Sequence, residues 1–132
     1  MAGSEWTDKR PKSPHLQIWR WHWTMAASIF HRASGVALYV GAILFALVFA
    51  AAASGPESFD TAMTLLLSIP GRLVLLGITA AAMFHLANGI KYLLWDGPKI
   101  GFDPKTASNV AMFNIFFAVV ATAAIWAAAY FA

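Results

Sequence analysis

His85 stands inside a long apolar run, near the midpoint between Leu73 and Asp96. An ionisable ring at that depth costs free energy in hydrocarbon and normally faces a protein interior or a bound group. On a helix its neighbours three and four positions away are Ala81, Ala82, Asn88 and Gly89. Three of these four are very small, and small residues let a partner helix or a flat macrocycle approach closely. A neutral imidazole is a common axial ligand of haem iron. The same ring could equally be hydrogen-bonded across a helix interface, and its position alone does not choose between these roles. No second histidine is expected at comparable depth, so a six-coordinate haem would take its other ligand from another subunit.

A second constellation lies in Ser28-Ile29-Phe30-His31-Arg32. Ser28 and Arg32 are four apart and share a helix face, with His31 beside them. A hydroxyl, an imidazole and a guanidinium at a helix end could hold a polar headgroup whose tail lies in lipid. A quinone fits, having two carbonyl oxygens that need donors and an isoprenoid tail. Arg32 could also pair with a carboxylate such as a haem propionate. The plainer reading is an ordinary helix end, with Arg32 snorkelling and Ser28 bonded to its own backbone. Trp19, Trp21, Trp23 and Trp95 read as an interfacial aromatic belt. Ser34, Gly35 and Gly41 read as helix-contact positions, Asn88 as a cross-helix hydrogen-bonding group, and Asp96 as a connector cap paired with Lys91 or Lys99.

The elements that must position these residues follow from apolar length. No charge interrupts the chain from Ala33 to Ala53, from Leu73 to Ile90, or from Thr106 to Ala132. A hydrocarbon core of ~30 Å needs ~20 helical residues, and each run reaches or approaches that length. The expected fold is therefore an all-α integral membrane protein. Its three transmembrane helices fall at about 25–53, 70–95 and 107–131, preceded by an interfacial segment over 1–24. Ser54-Gly55-Pro56 should stop the first helix and Pro70-Gly71 open the second. Glu57 to Ile69 is long enough for a short interfacial helix, and Asp96-Gly97-Pro98 should end the second span.

Composition agrees with that reading. Of the 132 residues, 60% are hydrophobic and only 11% charged, which excludes a disordered chain and argues against a soluble globule. Cysteine is absent, so this chain offers no disulfide, no thiolate zinc site and no cysteine-held iron–sulfur cluster. The net charge of +3 does not call for nucleic acid, because its distribution has a membrane explanation. Lys9, Arg10, Lys12, Arg20 and Arg32 lie at or before the start of the first helix, and Lys91, Lys99 and Lys105 near the second connector. Only Arg72 lies in the first connector. The positive-inside rule then puts the N-terminus and second connector in the cytoplasm. The stretch from Met1 to Met25 lacks the apolar run of a signal peptide, and Glu5 and Asp8 are unlike a mitochondrial transit peptide. A bacterial inner membrane is the expected location. There is no phosphate loop, no paired catalytic carboxylates and no Ser-His-Asp candidate, and a transporter's repeats are missing too.

Two motifs resemble a known family. The first runs from Arg10-Pro11 through Ser13-Pro14-His15-Leu16-Gln17 to Ser28-Ile29-Phe30-His31-Arg32-Ala33-Ser34-Gly35. The second is His85-Leu86-Ala87-Asn88-Gly89-Ile90 followed by Leu93-Leu94-Trp95-Asp96. Their order and separation are similar to those of the larger cytochrome b membrane-anchor subunit of succinate dehydrogenase, respiratory complex II. The resemblance covers nearly the whole chain.

That resemblance implies a two-subunit helical bundle in which a second small anchor subunit shares one haem b with this chain. It implies an iron–sulfur subunit and a flavoprotein docked on the cytoplasmic side, with ubiquinone reduced at the membrane boundary. Carried over by position, His85 matches the axial ligand of the haem iron. Ser28 and Arg32 match quinone-site residues, and His31 and Arg32 match positions near the haem propionates. The family commonly has Arg and then His or Phe after the Gly-Ile of the second motif, where this chain has Lys91 and Tyr92. Lys91 keeps the charge but loses the bidentate fork. His31, Arg32 and Lys91 are therefore expected either at the propionates or in a proton relay. The chain would not be an enzyme by itself. Alternatives are the anchor of a quinol:fumarate reductase and a structural anchor without haem.

Overall fold

The computed structural model describes residues 20–131. They form four helices: α1 (Trp23–Ser54), α2 (Pro56–Leu67), α3 (Ile69–Asp96) and α4 (Pro104–Phe131). No strand occurs among the described residues. Helices α1, α3 and α4 are each long and apolar enough to cross a membrane. At ~1.5 Å per residue, the 32 residues of α1 extend well beyond a ~30 Å hydrocarbon core. Tilting or protrusion must absorb the excess.

Chain punctuation sets the helix ends. Gly55 takes φ 121°, a region that L side chains rarely adopt, and the chain turns there from α1 into α2. Pro56 follows at the first helical position, where its missing N–H costs nothing. Ser68 separates α2 from α3, its hydroxyl accepting from the Gly71 N–H at 3.3 Å. The start of α4 is capped by Asp103, whose Oδ2 accepts from the Thr106 backbone N–H at 3.1 Å and its hydroxyl at 3.3 Å. Asp96, the expected cap, is the last residue of α3 and forms no ion pair with Lys91 or Lys99 among the described residues. A carboxylate serves a helix N-terminus better than a C-terminus, and Asp103 holds the N-terminal position.

Packing follows the rule for lipid, where apolar side chains gain nothing by leaving the acyl chains and close backbone approach decides association. The residues that α1 buries are Ala26, Ala27, Ser34 and Gly41. The last three are spaced by seven, the repeat of a left-handed helix seam. Those of α4 are Ala107, Ala111, Asn114, Ala118 and Thr122, at spacings of three and four. Large side chains such as Phe45, Leu47, Phe49 and Phe116 face outward. α3 touches both α1 and α4, and α1 also meets α4.

Two contacts pin the register. A Cβ on Gly41 would lie 3.2 Å from Cγ2 of Ile78, so α1 and α3 meet without a Gly41 side chain between them. Gly41→Leu should wedge them apart at the ~1–3 kcal/mol typical of overpacking, seen as a lower midpoint of thermal unfolding in detergent. Between α3 and α4, Asn114 donates from Nδ2 to Oδ1 of the fully buried Asn88 at 3.3 Å. Asn88 in turn donates to the Phe84 carbonyl at 3.1 Å. Asn114→Ala leaves an acceptor unpaired in a dry interface, at a cost of ~1 kcal/mol. Chemical denaturation in micelles should show that loss, with Asn88→Ala adding little on top of it.

Candidate functional site

The chemistry-bearing side chains gather where α1 starts and α3 ends. The two helices are joined by the short α2, and their axes run in opposite senses. His31, in the first part of α1, therefore falls level with His85, in the second half of α3. The two rings stack with centroids 4.1 Å apart and an interplanar angle of 12°. This corrects the sequence expectation that no second histidine shares the depth of His85. Antiparallel register brings together residues that are 54 apart in sequence.

His85 is half-buried. Its Nδ1 lies 3.2 Å from the His31 carbonyl oxygen and 3.1 Å from the Ser34 hydroxyl. Ser34 Oγ also donates to the His31 carbonyl at 2.7 Å. Nε2 of His85 has no hydrogen-bond partner among the described residues. Gly35 lets the ring lie against α1, since a Cβ there would sit 3.2 Å from His85 Cε1. One turn along α3, a Cβ on Gly89 would meet nothing within 4 Å. The ring thus has a crowded side against α1 and small residues above and below it on its own helix.

Two nitrogens at this place have no hydrogen-bond partner. His31 Nε2 and Lys91 Nζ are both buried without a hydrogen-bond partner. Lys91 is only 5% exposed, and its ammonium lies 4.4 Å from the Tyr92 ring centroid and 4.9 Å from that of Trp95. Desolvated cation–π contacts of this kind contribute ~2 kcal/mol, well short of the several kcal/mol that burying an ion costs. Tyr92 also reaches His31, with ring centroids 5.1 Å apart. An anion brought to this place would find an uncompensated cation and an imidazole waiting.

Ser28 is half-buried and lines a cavity of about 640 Å³ together with His22, Tyr92, Trp95, Phe102 and Ser108. Arg32 is exposed and takes no part in that lining, so the expected Ser28–Arg32 pair is split between a cavity wall and the outer face of α1. His31 turns away from both, toward His85. Trp95 is half-buried and stacked on Phe102 at 5.2 Å, which makes it a wall of the site and not a simple belt residue. Trp21 and Trp23 are exposed at 55% and 51%, as an interfacial belt requires. Trp19 and the motif residues from Arg10 to Gln17 lie outside the described residues.

Sequence reasoning missed Ser34 as a partner of His85, Asn114 as the partner of Asn88, and the burial of Lys91. The signal for Ser34 was present in outline, as a small polar residue on the expected contact face of α1. Nothing local in the sequence marks the other two.

A bundle of three apolar spanning helices, with imidazoles stacked in its interior and an amphipathic cavity at one end, defines a multi-pass membrane protein built around polar groups. A profile of the family described as "Succinate dehydrogenase/Fumarate reductase transmembrane subunit" matches residues 7–125, and the chain belongs to that family. It is 40% identical over 109 residues to the mitochondrial succinate dehydrogenase cytochrome b560 subunit of Sus scrofa, covering 78% of this chain and 63% of that protein. It is 36% identical over 87 residues to the succinate dehydrogenase cytochrome b556 subunit of Paracoccus denitrificans, covering 66% of this chain and 67% of the relative. The cytochrome b556 subunit of Rickettsia felis is 29% identical over 119 residues, covering 90% of this chain and 92% of its own length. The chain spans a little under two thirds of the length of the pig subunit.

Proposed function

We propose that this chain is a membrane-anchor and electron-transfer subunit of a succinate:ubiquinone oxidoreductase, holding haem b with a second small anchor subunit and forming part of the ubiquinone site. The observation that carries the reading is His85, an intramembrane imidazole with Nδ1 engaged, Nε2 unpaired and small residues at Ala81, Ala82 and Gly89 beside it.

The donor set fits a haem. A metal-binding histidine usually donates its other ring N–H to a backbone or side-chain oxygen, and His85 has two such oxygens at Nδ1. His85 would be the axial ligand from this chain. His31 and Lys91, each with an unpartnered buried nitrogen, and Arg32, exposed on α1, would meet the propionates. When bound, the haem accepts and returns one electron at a time. His31 stacks face to face on His85, so the two rings do not oppose each other across one iron. A second ligand to the iron would be supplied by the partner anchor.

The 640 Å³ cavity is the proposed quinone headgroup site. The Ser28 hydroxyl would donate to one carbonyl oxygen, with Tyr92 and Trp95 supplying a flat apolar wall. Arg32, one helical turn further along α1, would polarise the headgroup as quinone is reduced. Quinone reduction consumes two electrons and two protons. The electrons would come from the flavoprotein and iron–sulfur partners, and the protons from water on their side of the membrane, with His31 a relay. The positive charge at the N-terminus and second connector supports a cytoplasmic setting for that side, in a bacterial inner membrane. The cytochrome names of the relatives support the haem, and their succinate dehydrogenase names support the partners.

A dithionite-reduced minus oxidised absorption spectrum of the purified assembled complex tests the reading. A sharp low-spin b-type α band is expected, and its absence from a complex that retains this chain would leave only the structural anchor.

A further inference from the structure

We propose that Ser34 is a positioning residue for the haem ligand. Its hydroxyl, together with the His31 carbonyl, holds His85 as the tautomer with the proton on Nδ1 and the lone pair on Nε2. The inference rests on the haem reading above and deepens it.

The tautomer follows from where each proton can go. The His31 carbonyl oxygen can only accept. Ser34 Oγ lies 2.7 Å from it, the shortest bond in the group, so the single hydroxyl proton of Ser34 goes there. The Ser34 oxygen then offers only lone pairs to His85 Nδ1 at 3.1 Å, and the His31 carbonyl offers lone pairs to the same nitrogen at 3.2 Å. Two acceptors facing one ring nitrogen require that nitrogen to carry the proton. Placing the proton on Nε2 instead would set the Nδ1 lone pair against the carbonyl lone pairs. A neutral imidazole has one N–H, so Nε2 is left bare, the state in which it can bind iron.

The arrangement also fixes where the ring points. Ser34 is 7% exposed and sits on the α1 seam, so its oxygen moves only with the helix. The His31 carbonyl belongs to the α1 backbone, and the His31 ring stacks on the His85 face at 4.1 Å. Gly35 leaves no side chain to push the ring away. Oxygen acceptors on the distal N–H make an imidazole a stronger donor to its metal. Ser34 would therefore favour the oxidised iron and hold its potential down.

Threonine and valine at this position separate the hydroxyl from the volume. Ser34 lines an apolar groove of about 710 Å³ with Ala33, Ala37 and Ala81, and the two replacements carry the same added bulk there. The assembled complex carrying Ser34→Thr or Ser34→Val would be compared with wild type by redox titration of the haem and by low-temperature EPR of the oxidised form. The expected result is a Thr variant close to wild type. The Val variant should show an upward shift of midpoint potential and a shifted, broadened largest g value, the signature of a ring held by one acceptor fewer. Thr and Val variants that cannot be told apart, whether both bind haem normally or both lose it, overturn the proposal. A potential that falls in the Val variant overturns it as well, because it reverses the donor assignment. Failure of the underlying reading looks different: the wild-type complex would lack haem, or His85→Ala would retain the wild-type spectrum.

Discussion

His85→Ala should strip the assembled complex of its normal haem signal while the chain still inserts and pairs with its partners. Among the described residues, the substitution removes the only ring in the bundle whose Nε2 is unpaired and whose Nδ1 is already committed. Its effect on folding should be small by comparison. His85 lies half-buried against α1, whereas the contacts that hold the helices together are at Gly41–Ile78 and Asn88–Asn114. A lost imidazole leaves Ser34 still bonded to the His31 carbonyl, so no new unpaired donor is created on α1. Haem content per complex, by pyridine haemochrome assay against protein, is the measurement. Full occupancy with an unchanged reduced spectrum would remove His85 from the iron.

Ser28→Ala and Arg32→Ala should each slow succinate–ubiquinone turnover and leave succinate oxidation by a soluble artificial acceptor intact. Ser28 lines the cavity, so its loss would remove one neutral hydrogen bond to a headgroup bound there, ~1 kcal/mol or roughly fivefold. On the proposed reading, Arg32 would bring a full charge to a developing negative oxygen. Its removal should cost ~1.5–3 kcal/mol, on the order of 10- to 100-fold in turnover. The order of the two effects is informative, because Arg32 stands outside the cavity lining when the chain is alone. A Ser28→Ala defect larger than that of Arg32→Ala would mean that the guanidinium stays on the outer face. If both assays fell together, assembly and not quinone binding would explain the loss.

The spanning architecture was legible because length and charge alone decide it. The uninterrupted apolar runs over 33–53, 73–90 and 106–132 leave no other fold, and Gly55 and Pro56 mark a turn whose backbone only such residues accept readily. The chemistry was legible one residue at a time. His85 stood out because lipid penalises it, and Ser28 and His31 stood out by spacing. What the sequence could not supply was register. Whether His31 meets Arg32's neighbours or His85 depends on where α1 and α3 fall level, and that is set by Gly41 against Ile78, further along the two helices. The same holds for Ser34, which local reading places on a contact face without saying whose ring it contacts. Lys91 misled for a different reason. Its charge suggested a surface partner such as Asp96, but the helix turns its ammonium onto Tyr92 and Trp95, which no charge pattern reveals.

The buried cation of Lys91 supports the haem reading. An ammonium with only ring faces for company is a poor end state for a protein that folds alone. It is a reasonable one for a chain whose binding partner carries negative charge to it. The same reasoning covers the small-residue seam that continues past His85 to Gly89, where an added Cβ would meet nothing within 4 Å. Both features leave the single chain incomplete in the places where a carboxylate-bearing macrocycle and a second anchor would complete it.

Density for the assembled complex, resolved well enough to place ring planes, bears on all of this at once. The expected result is a porphyrin iron within ~2 Å of His85 Nε2, coordination distance for an imidazole nitrogen, with the opposite iron face closed by a residue of the neighbouring anchor. A His85 ring in contact with protein or lipid alone, in a complex that retains its full complement of subunits, would contradict it.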